Sequence, residues 1–232
     1  MSSAVAHASR SYFAFFDIDY TLIDCSSGMA FGLECLRAGV IGLGDIARAV
    51  WWHTAYQLGL MAETEIWHLS TGRVIGRPEA PIRLACQAAH RRRVRHRVYR
   101  EARDALARHR AAGGVPALIS AAPRYNVLEL ARELGIEHTA TAWANVIDGK
   151  MNDLTGVEIP VGPMKRVFAQ RLCTAHGVAP ADCWAYGDSR ADIEMLELVG
   201  HPVAVNPKPA LLRVARARGW TIARWHEPSA AQ

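Results

Sequence analysis

The chain has 232 residues, half of them hydrophobic, and a formal net charge of +5, which excludes a disordered chain and a small disulfide-stapled scaffold. Its five cysteines are odd in number and scattered, so they predict neither a disulfide framework nor a metal cluster. The apolar window at residues 40–61 contains Asp45 and Arg48, and residues 1–10 lack the apolar core of a signal peptide, so we expect a cytoplasmic protein without a transmembrane segment.

Short apolar runs predict the buried strands of a parallel sheet. These runs lie at residues 12–17, 117–120, 184–188 and 202–205, with a further short one near 139–142. Helical patterns that end at a glycine lie between them, at residues 124–134, 164–176 and 191–199. Strands that alternate with helices indicate an α/β fold with right-handed crossovers. Asp148-Gly149 within residues 146–154 predicts a separate β-hairpin.

A long connection follows the first predicted strand. Residues 26–110 contain no clear buried strand and show helical patterns, including one at residues 45–60 and a basic one from about 88 to 109. So long a segment is better explained as an inserted helical cap than as a loop. Contact of the apolar window with a membrane surface stays open.

Positive charge is concentrated in residues 91–110, which hold nine arginines against two acids. An apolar stripe at helical spacing places most of these arginines on a solvated face. The stripe consists of Val94, Val98, Ala102, Ala105 and Leu106. A binding face for an anionic substrate tail, an acidic partner or nucleic acid is the alternative.

Acidic residues follow two of the predicted strands. Asp17 and Asp19 end the first strand, Asp188 ends another, and Asp192 lies one helical turn beyond Asp188. Ligands of open α/β sheets bind at the carboxyl ends of the strands, so we expect these side chains to meet there. Converging carboxylates repel each other unless a cation lies among them, and Mg²⁺ prefers such oxygen ligands.

Two further residues complete a set suited to phosphate. Ser120 ends its strand just before the helix that Pro123 opens, and a hydroxyl beside free helix N–H groups is an anion site. Lys165 lies in the first turn of the helix that Pro163 opens. Carboxylates, a cation, a hydroxyl and a lysine are the groups of phosphoryl transfer. The alternative for Lys165 is a solvated helix residue beside Arg166.

Four motifs in this order resemble those of the haloacid dehalogenase superfamily. They are Asp17-Ile18-Asp19-Tyr20-Thr21, Leu118-Ile119-Ser120, Gly162-Pro163-Met164-Lys165 and Gly187-Asp188-Ser189-Arg190-Ala191-Asp192. The helical insert after the first motif is similar to the cap of the phosphoserine-phosphatase-like branch (subfamily IB), and the stretch at residues 200–207 resembles uncharacterised bacterial members of that branch. The match runs from Phe13 to about Trp220.

The resemblance implies a Rossmann-like core at residues 1–24 and 111–232, with an α-helical cap at residues 25–110. It implies that Asp17 is a nucleophile that carries the phosphoryl group and that Asp19 is the general acid and base. Thr21 would help to orient the loop, Ser120 would bind a phosphoryl oxygen, and Lys165 would neutralise charge.

The implied Mg²⁺ ligands are Asp17, Asp188, Asp192 and the backbone carbonyl of Asp19. Two departures from the family pattern stand beside them. Tyr20 replaces a small residue or Asn and would crowd the nucleophile loop, and Ala122 stands where close relatives often have Ser, so one hydroxyl near the phosphate is missing.

We therefore expect a phosphoric monoester hydrolase that depends on Mg²⁺ and forms an aspartyl phosphate. Its partner would be a small phosphorylated metabolite, with phosphoserine, histidinol phosphate, phosphocholine and similar alcohol phosphates all open. One alternative is a phosphotransferase that uses a second alcohol in place of water. The other is a non-catalytic regulatory or nucleic-acid-binding module that uses residues 91–110, and the complete catalytic set argues against it. The sequence does not indicate an oligomeric state.

Overall fold

The structure, a computed structural model, describes residues 11–58 and 60–226, so the prediction about a signal peptide at residues 1–10 lies outside the described residues. The strands are β1 (Phe13–Phe16), β2 (Val115–Ile119), β3 (His138–Ala140), β4 (Val146–Ile147), β5 (Lys150–Met151), β6 (Trp184–Gly187), β7 (His201–Val205) and β8 (Thr221–Ala223). The helices are α1 (Ser27–Arg37), α2 (Leu43–Gln57), α3 (Glu63–Gly72), α4 (Glu79–Ala89), α5 (Arg100–Ala111), α6 (Arg124–Leu134), α7 (Pro163–Ala175), α8 (Ile193–Leu198) and α9 (Pro209–Ala217).

Six strands form one parallel sheet in the order β3-β2-β1-β6-β7-β8. This arrangement confirms the predicted α/β fold and the five predicted strands of its sheet. The hairpin predicted around Asp148-Gly149 is confirmed as the antiparallel pair β4–β5. The sequence did not predict β8, because its three residues are largely exposed and show no buried apolar run.

The central strand β1 is buried on both faces, and each face has its own core. Phe16 packs in a cluster with apolar residues of α5 and α6. Phe13 and Phe15 pack in a second cluster with residues of α7, α8 and α9. Because successive strand residues point to opposite faces, this run of four apolar residues holds helices on both sides of the sheet.

The segment between β1 and β2 is helical. Apolar residues of α1 and α4 meet Met151 of the hairpin in a third cluster, which is separate from the two that cover the sheet. The last helix of the segment, α5, instead contributes Leu106 to the cluster on the sheet. The division into a core and a cap at residues 25–110 stays a prediction. No helix among the described residues is long and apolar enough to cross a membrane.

The continuous basic helix predicted from about residue 88 to 109 is wrong. After α4, a π-helical turn (His90–Val94) and a 3₁₀ turn (Arg95–Arg97) precede Val98, whose backbone is extended (φ −69°, ψ 124°). Val98 forms an isolated bridge with Ile23, and the Tyr99 N–H donates to the Leu22 carbonyl at 3.0 Å. Bonds to the loop after β1 therefore outweigh local helix propensity here.

The five apolar residues of that stripe are nevertheless all buried, although Val94 lies in the π-helical turn, Val98 in the extended link and the other three in α5. Seven of the nine arginines are exposed, and Arg93 and Arg103 are half-buried. Several are held by acceptors of this chain, such as Arg92 and Arg93 by Glu34 and Arg97 by Asp24. These contacts favour the solvated, structural interpretation of the basic segment.

Candidate active site

Three carboxylates meet at the carboxyl edge of the sheet. Asp17 follows β1, Asp188 follows β6, and Asp192 ends the 3₁₀ turn Arg190–Asp192. One oxygen of each lies within 4.8 Å of the others, and the three residues are 6%, 3% and 0% exposed. The adjacent strands β1 and β6 bring Asp17 and Asp188 together, and the Asp17 N–H donates to the carbonyl of Tyr186 at 3.1 Å.

Lys165 lies among these carboxylates. Its Nζ is 2.6 Å from Asp17 Oδ1 and 2.6 Å from Asp192 Oδ1, and the residue is only 2% exposed. The alternative of a solvated lysine is therefore wrong, whereas the neighbouring Arg166 is exposed. The first turn of α7 is placed by Gly162, whose N–H donates to the Ala191 carbonyl at 3.1 Å.

Asp192 is fixed by its own turn. Its Oδ2 accepts hydrogen bonds from the Ser189 N–H and the Ser189 hydroxyl, both at 3.0 Å, and from the Asp188 N–H at 3.2 Å. Gly187 makes room for this side chain, because a Cβ there would lie 2.4 Å from the Cβ of Asp192. With Lys165 on Oδ1, both oxygens of Asp192 are engaged by this chain.

Asp19 lies in the same pocket but its carboxylate is held differently. Both of its oxygens accept from the Ser27 N–H at 3.1 Å, at the beginning of α1. A carboxylate is favourable there because the first N–H groups of a helix carry partial positive charge. Of the four acids expected to gather, the structure thus brings three carboxylates together and directs the fourth to the first helix of the insert.

The loop after β1 is shaped by its backbone. The N–H groups of Thr21, Leu22 and Ile23 all donate to the Ile18 carbonyl at 2.9–3.2 Å. The buried hydroxyl of Thr21 has no hydrogen-bond partner among the described residues, so the expected orienting role of that hydroxyl stays a prediction. Tyr20 adopts a left-handed conformation (φ 61°) and lines the pocket, as its bulk suggested.

Ser120 directly follows β2 and is 3% exposed. Its N–H donates to the Ala140 carbonyl at 3.1 Å, and its Oγ accepts from the Ala122 N–H at 3.3 Å. It lines the same pocket as Asp17 and Lys165, just before α6 begins. Ala122 also lines this pocket and offers no hydroxyl there, in agreement with the sequence.

The sequence reasoning missed a second lysine. Lys208 Nζ lies 2.9 Å from Asp188 Oδ2 and 4.9 Å from the centre of the Tyr20 ring, and its N–H donates to the Asp188 carbonyl at 2.8 Å. The sequence could have indicated Lys208, because this residue lies just beyond the carboxyl end of β7, where ligand-binding residues of such sheets are found.

Burial controls the acidity of this site. It raises the pKa of Asp17 to about 6 against the opposing charge of Lys165. Burial, reinforced by the negative charge of Asp192, raises the pKa of Asp188 to about 8. Burial also raises the pKa of Asp19, while its hydrogen bonds with Ser27 oppose that shift. Raised pKa values show that the ionised carboxylates lack full compensation in this chain.

The donor set fits a hard divalent cation. Asp17, Asp188 and Asp192 offer oxygen atoms only, within a few ångströms of one another, and they carry more negative charge than Lys165 and Lys208 together neutralise. Oxygen-only sites of this kind suit Mg²⁺ better than softer transition metals. The residues present therefore match the metal that the motifs imply.

A cavity of about 260 Å³ connects this acidic edge with the helical insert. Its lining includes Asp17, Asp19, Ser120 and Lys165 on one side and residues of α1, α2 and α3 on the other. The volume is below the 300–1,000 Å³ that is typical of pockets for drug-sized ligands, so the cavity suits a small molecule.

Comparison with known proteins agrees with this geometry. A family model described as haloacid dehalogenase-like hydrolase matches residues 14–197. The chain is 28% identical over 218 residues to a probable phosphatase of Mycobacterium tuberculosis, with 93% of this chain and 76% of the relative covered. It is 29% identical over 215 residues to a phosphoserine phosphatase of the same organism, with 90% and 69% covered.

Solved structures show the same fold. A protein of unknown function from Bordetella pertussis superimposes with a TM-score of 0.79 at 26% identity, with 92% of this chain and 98% of that chain covered. A substrate-bound phosphoserine phosphatase superimposes with a TM-score of 0.71 at 19% identity, with 92% and 93% covered. These similarities extend over the sheet and the helical insert together.

Proposed function

Because the chain belongs to the haloacid dehalogenase-like hydrolase family, we infer that it is a phosphatase, and we propose that it hydrolyses small phosphate monoesters through an aspartyl phosphate on Asp17 with the aid of Mg²⁺. The observation that carries this proposal is the position of Lys165, 2.6 Å from both Asp17 and Asp192 in a buried acidic cluster. A buried lysine that bridges a nucleophile and a candidate metal ligand can neutralise the charge that phosphoryl transfer brings together, and a merely structural site has little need of it.

Asp17 is the nucleophile in this proposal. With a pKa of about 6, its carboxylate is mostly ionised at neutral pH. Its Oδ1 is held by Lys165, which fixes the direction of the side chain. An ionised carboxylate in a buried site is also poorly solvated by water, which favours attack on phosphorus.

Asp19 moves the proton. Its raised pKa allows it to hold a proton nearer to neutral pH than an exposed aspartic acid does. The bonds from the Ser27 N–H orient its carboxyl group beside the pocket. Asp19 is therefore the group proposed to give a proton to the departing alcohol.

The proposed reaction forms an aspartyl phosphate and then hydrolyses it. An oxygen of Asp17 forms a bond to phosphorus while the ester P–O bond breaks, and the alcohol leaves with the proton of Asp19. A water molecule then gives a proton to Asp19 and attacks phosphorus, the bond between phosphorus and Asp17 breaks, and inorganic phosphate is released.

Asp17, Asp188 and Asp192 would hold the Mg²⁺ ion, with the backbone carbonyl of Asp19. When bound, the ion supplies positive charge against the phosphoryl oxygens and the carboxylates. Ser120 would donate a hydrogen bond from its hydroxyl to a phosphoryl oxygen near the beginning of α6, where helix N–H groups also favour an anion. Lys165 supplies the remaining fixed charge.

The non-catalytic alternative has less support. It requires a basic face that is available to a partner, but Arg92 and Arg93 bind Glu34, Arg103 binds Glu133, and Arg110 donates to the carbonyls of Leu134 and Gly135. The contacts of Arg103 and Arg110 connect the insert to α6 and the turn after it, and those of Arg92 and Arg93 lie within the insert. Nucleic acid is therefore not a proposed partner.

The decisive experiment measures phosphate release from a panel of small phosphate esters by the purified protein and by Asp17→Asn. The wild-type protein should release phosphate with Mg²⁺ and lose activity with EDTA, and the variant should be inactive while its melting temperature and circular dichroism stay close to wild type. Turnover by Asp17→Asn equal to wild type would rule out the aspartyl phosphate. Recovery of a phosphorylated second alcohol in place of free phosphate would identify a phosphotransferase.

A further inference from the structure

The lining of the pocket divides by charge. The charged residues among its described lining are Asp17, Asp19, Lys165, Asp188 and Lys208. All five lie at the carboxyl edge of the sheet or in the loop after β1. Every one of them is occupied with the acidic cluster or with the beginning of α1. The charge of the pocket is thus confined to the end that would hold the phosphate and the metal.

The other end of the pocket is an apolar wall. Its members come from α1, from α3 and the residues just after it, and from the loop after β3. The wall consists of Met29, Phe31, Ile66, Trp67, Val74 and Trp143. The uncharged polar groups at this end, among the described lining residues, include the hydroxyls of Ser26, Ser70 and Thr71 and the indole N–H of Trp143, which has no hydrogen-bond partner among them.

Four charged residues of the helical insert pair with one another away from the pocket. Glu34 binds Arg93 at 3.1 Å, and Asp45 accepts from Arg73 Nε at 2.7 Å. None of these four residues lines the pocket. An ammonium or carboxylate group on the alcohol part of a substrate would therefore lose its water at the apolar wall without gaining an opposite charge from the described lining, which is costly.

An apolar group in the same place would gain free energy. Trp67 and Trp143 offer flat aromatic surfaces, and Met29 offers a flexible side chain that adapts to the shape of a ligand. Burial of carbon surface against such a wall is favourable in proportion to the area removed from water. Three hydroxyls nearby suit an occasional ether or alcohol oxygen but not a formal charge.

We propose that the alcohol part of the substrate is uncharged and largely apolar, so that the enzyme prefers alkyl and aryl phosphate monoesters to amino-acid and amino-alcohol phosphates. This inference rests on the proposed phosphatase function and narrows its substrate class. Phosphoserine, phosphocholine and histidinol phosphate, which the sequence left open, all place a charge where the wall is apolar. The wall determines which alcohol fits, and the acidic edge performs the chemistry.

The test compares esters of primary alcohols of similar size; the ammonium group makes the charged alcohols the better leaving groups, so leaving-group acidity does not favour the apolar ester. Phosphate release is measured for n-butyl phosphate, phosphoethanolamine and O-phosphoserine with Mg²⁺. We expect kcat/KM for n-butyl phosphate to be at least about tenfold above both charged esters. A value for O-phosphoserine equal to or above that for n-butyl phosphate would overturn the inference and leave the phosphatase function intact.

A matched pair of tryptophan variants locates the effect. Trp67→Ala should raise KM for n-butyl phosphate several-fold and leave KM for O-phosphoserine nearly unchanged, because only the apolar ester uses that surface. Trp51→Ala is the control, since Trp51 is 62% exposed on α2 and does not line the pocket. Equal changes in both variants, or equal changes for both esters, would overturn the role of the wall.

A binding measurement separates the inference from the proposed function. If no ester in the panel releases phosphate, the proposed phosphatase function fails. Calorimetry with phosphonates, which are not hydrolysed, then tests separately whether the pocket prefers an apolar group. Tighter binding of n-pentylphosphonate than of 2-amino-4-phosphonobutyrate supports an apolar wall. The reverse order overturns it.

Discussion

Two polar clusters lie beside the same strand, β6, and they differ in how fully the chain itself compensates their buried polar groups. The acidic cluster consists of Asp17, Asp188, Asp192 and Lys165. The histidine cluster consists of His109, Tyr12 and Tyr186. His109 Nδ1 lies 3.0 Å from the Tyr12 hydroxyl, and His109 Nε2 lies 2.8 Å from the Tyr186 hydroxyl.

The difference lies in what each cluster still requires. Both nitrogens of the His109 ring have hydroxyl partners, and burial lowers its pKa to about 4, so the cluster is neutral and complete. In the acidic cluster, burial raises the pKa values of Asp17 and Asp188, and Lys165 and Lys208 together do not neutralise three carboxylates. A polar cluster that is satisfied internally stabilises a fold, whereas one that is left short of charge is a site for a cation.

The largest effect expected from this comparison is that of removing Lys165. Lys165→Met should lower kcat by about 10²–10³-fold, which is typical for the loss of one fixed donor at a charged transition state. It should also lower the free energy of unfolding without Mg²⁺ by about 3–5 kcal/mol, because buried carboxylates lose their partner. Steady-state kinetics and urea unfolding measure the two effects.

Arg166→Met provides the control, because Arg166 is the exposed neighbour on the same helical turn. It removes one positive charge and should change neither quantity by more than a small amount. Activity close to wild type in Lys165→Met would mean that the acidic cluster does not need this lysine, and would contradict the proposed difference between the two clusters.

The two clusters should respond to pH with opposite signs. The folded-state pKa of His109, about 4, is below its ordinary 6.5, so its contribution to stability is present above pH 6.5 and is lost as the pH falls toward 4. The folded-state pKa of Asp188, about 8, is above its ordinary 3.8, so without Mg²⁺ its contribution is lost as the pH rises toward 8. Each slope is at most about 1.4 kcal/mol per pH unit.

Urea unfolding in EDTA between pH 4.5 and 8 tests these signs. Below pH 6.5 the two contributions oppose each other, so each is read from a variant. His109→Gln should make stability increase more steeply toward acid pH, and Asp188→Asn should reduce the loss of stability toward basic pH. Added Mg²⁺ should reduce only the loss on the basic side. A wild-type profile that Mg²⁺ changes equally at both ends would show that the clusters are not distinct in this respect.

The smallest effect concerns Lys208, which holds a positive charge 2.9 Å from Asp188 Oδ2. Lys208→Met removes a charge that competes with the metal for that carboxylate, so the dissociation constant for Mg²⁺ should fall by a few-fold. Calorimetric titration with Mg²⁺ at pH 8 measures this change without any substrate. Weaker Mg²⁺ binding in the variant would mean that Lys208 orients Asp188 more than it opposes the ion.

Much of the sheet and the site could be predicted because the relevant signals are local. The strand β1 consists of four apolar residues followed by an acid, and α6 begins after Pro123 and ends before Gly135. The apolar run, the proline and the glycine were therefore enough to predict these two elements. The acids at the ends of β1 and β6 were expected to meet because parallel strands bring their carboxyl ends to one edge. Their proximity in the structure follows from that topology.

The predictions that failed depend on distant partners. The predicted basic helix is interrupted at Val98 and Tyr99 because these residues bond to Ile23 and Leu22, which are far away in the sequence. Lys208 was overlooked because its importance comes from Asp188 and Tyr20, which lie on other elements. The apolar wall likewise joins residues of α1, α3 and the loop after β3, which no local pattern connects.

The sequence by itself determined the fold class, five of the six strands of the sheet, and the residue types available for phosphoryl transfer, since each of these depends on neighbours within a few positions. Only the tertiary structure decided that Asp19 turns to the Ser27 N–H, that Lys165 bridges Asp17 and Asp192, and that the far side of the pocket is free of charge among its described residues. These are distances between segments up to 148 positions apart. They are set by the packing of the whole chain, which local propensity does not encode.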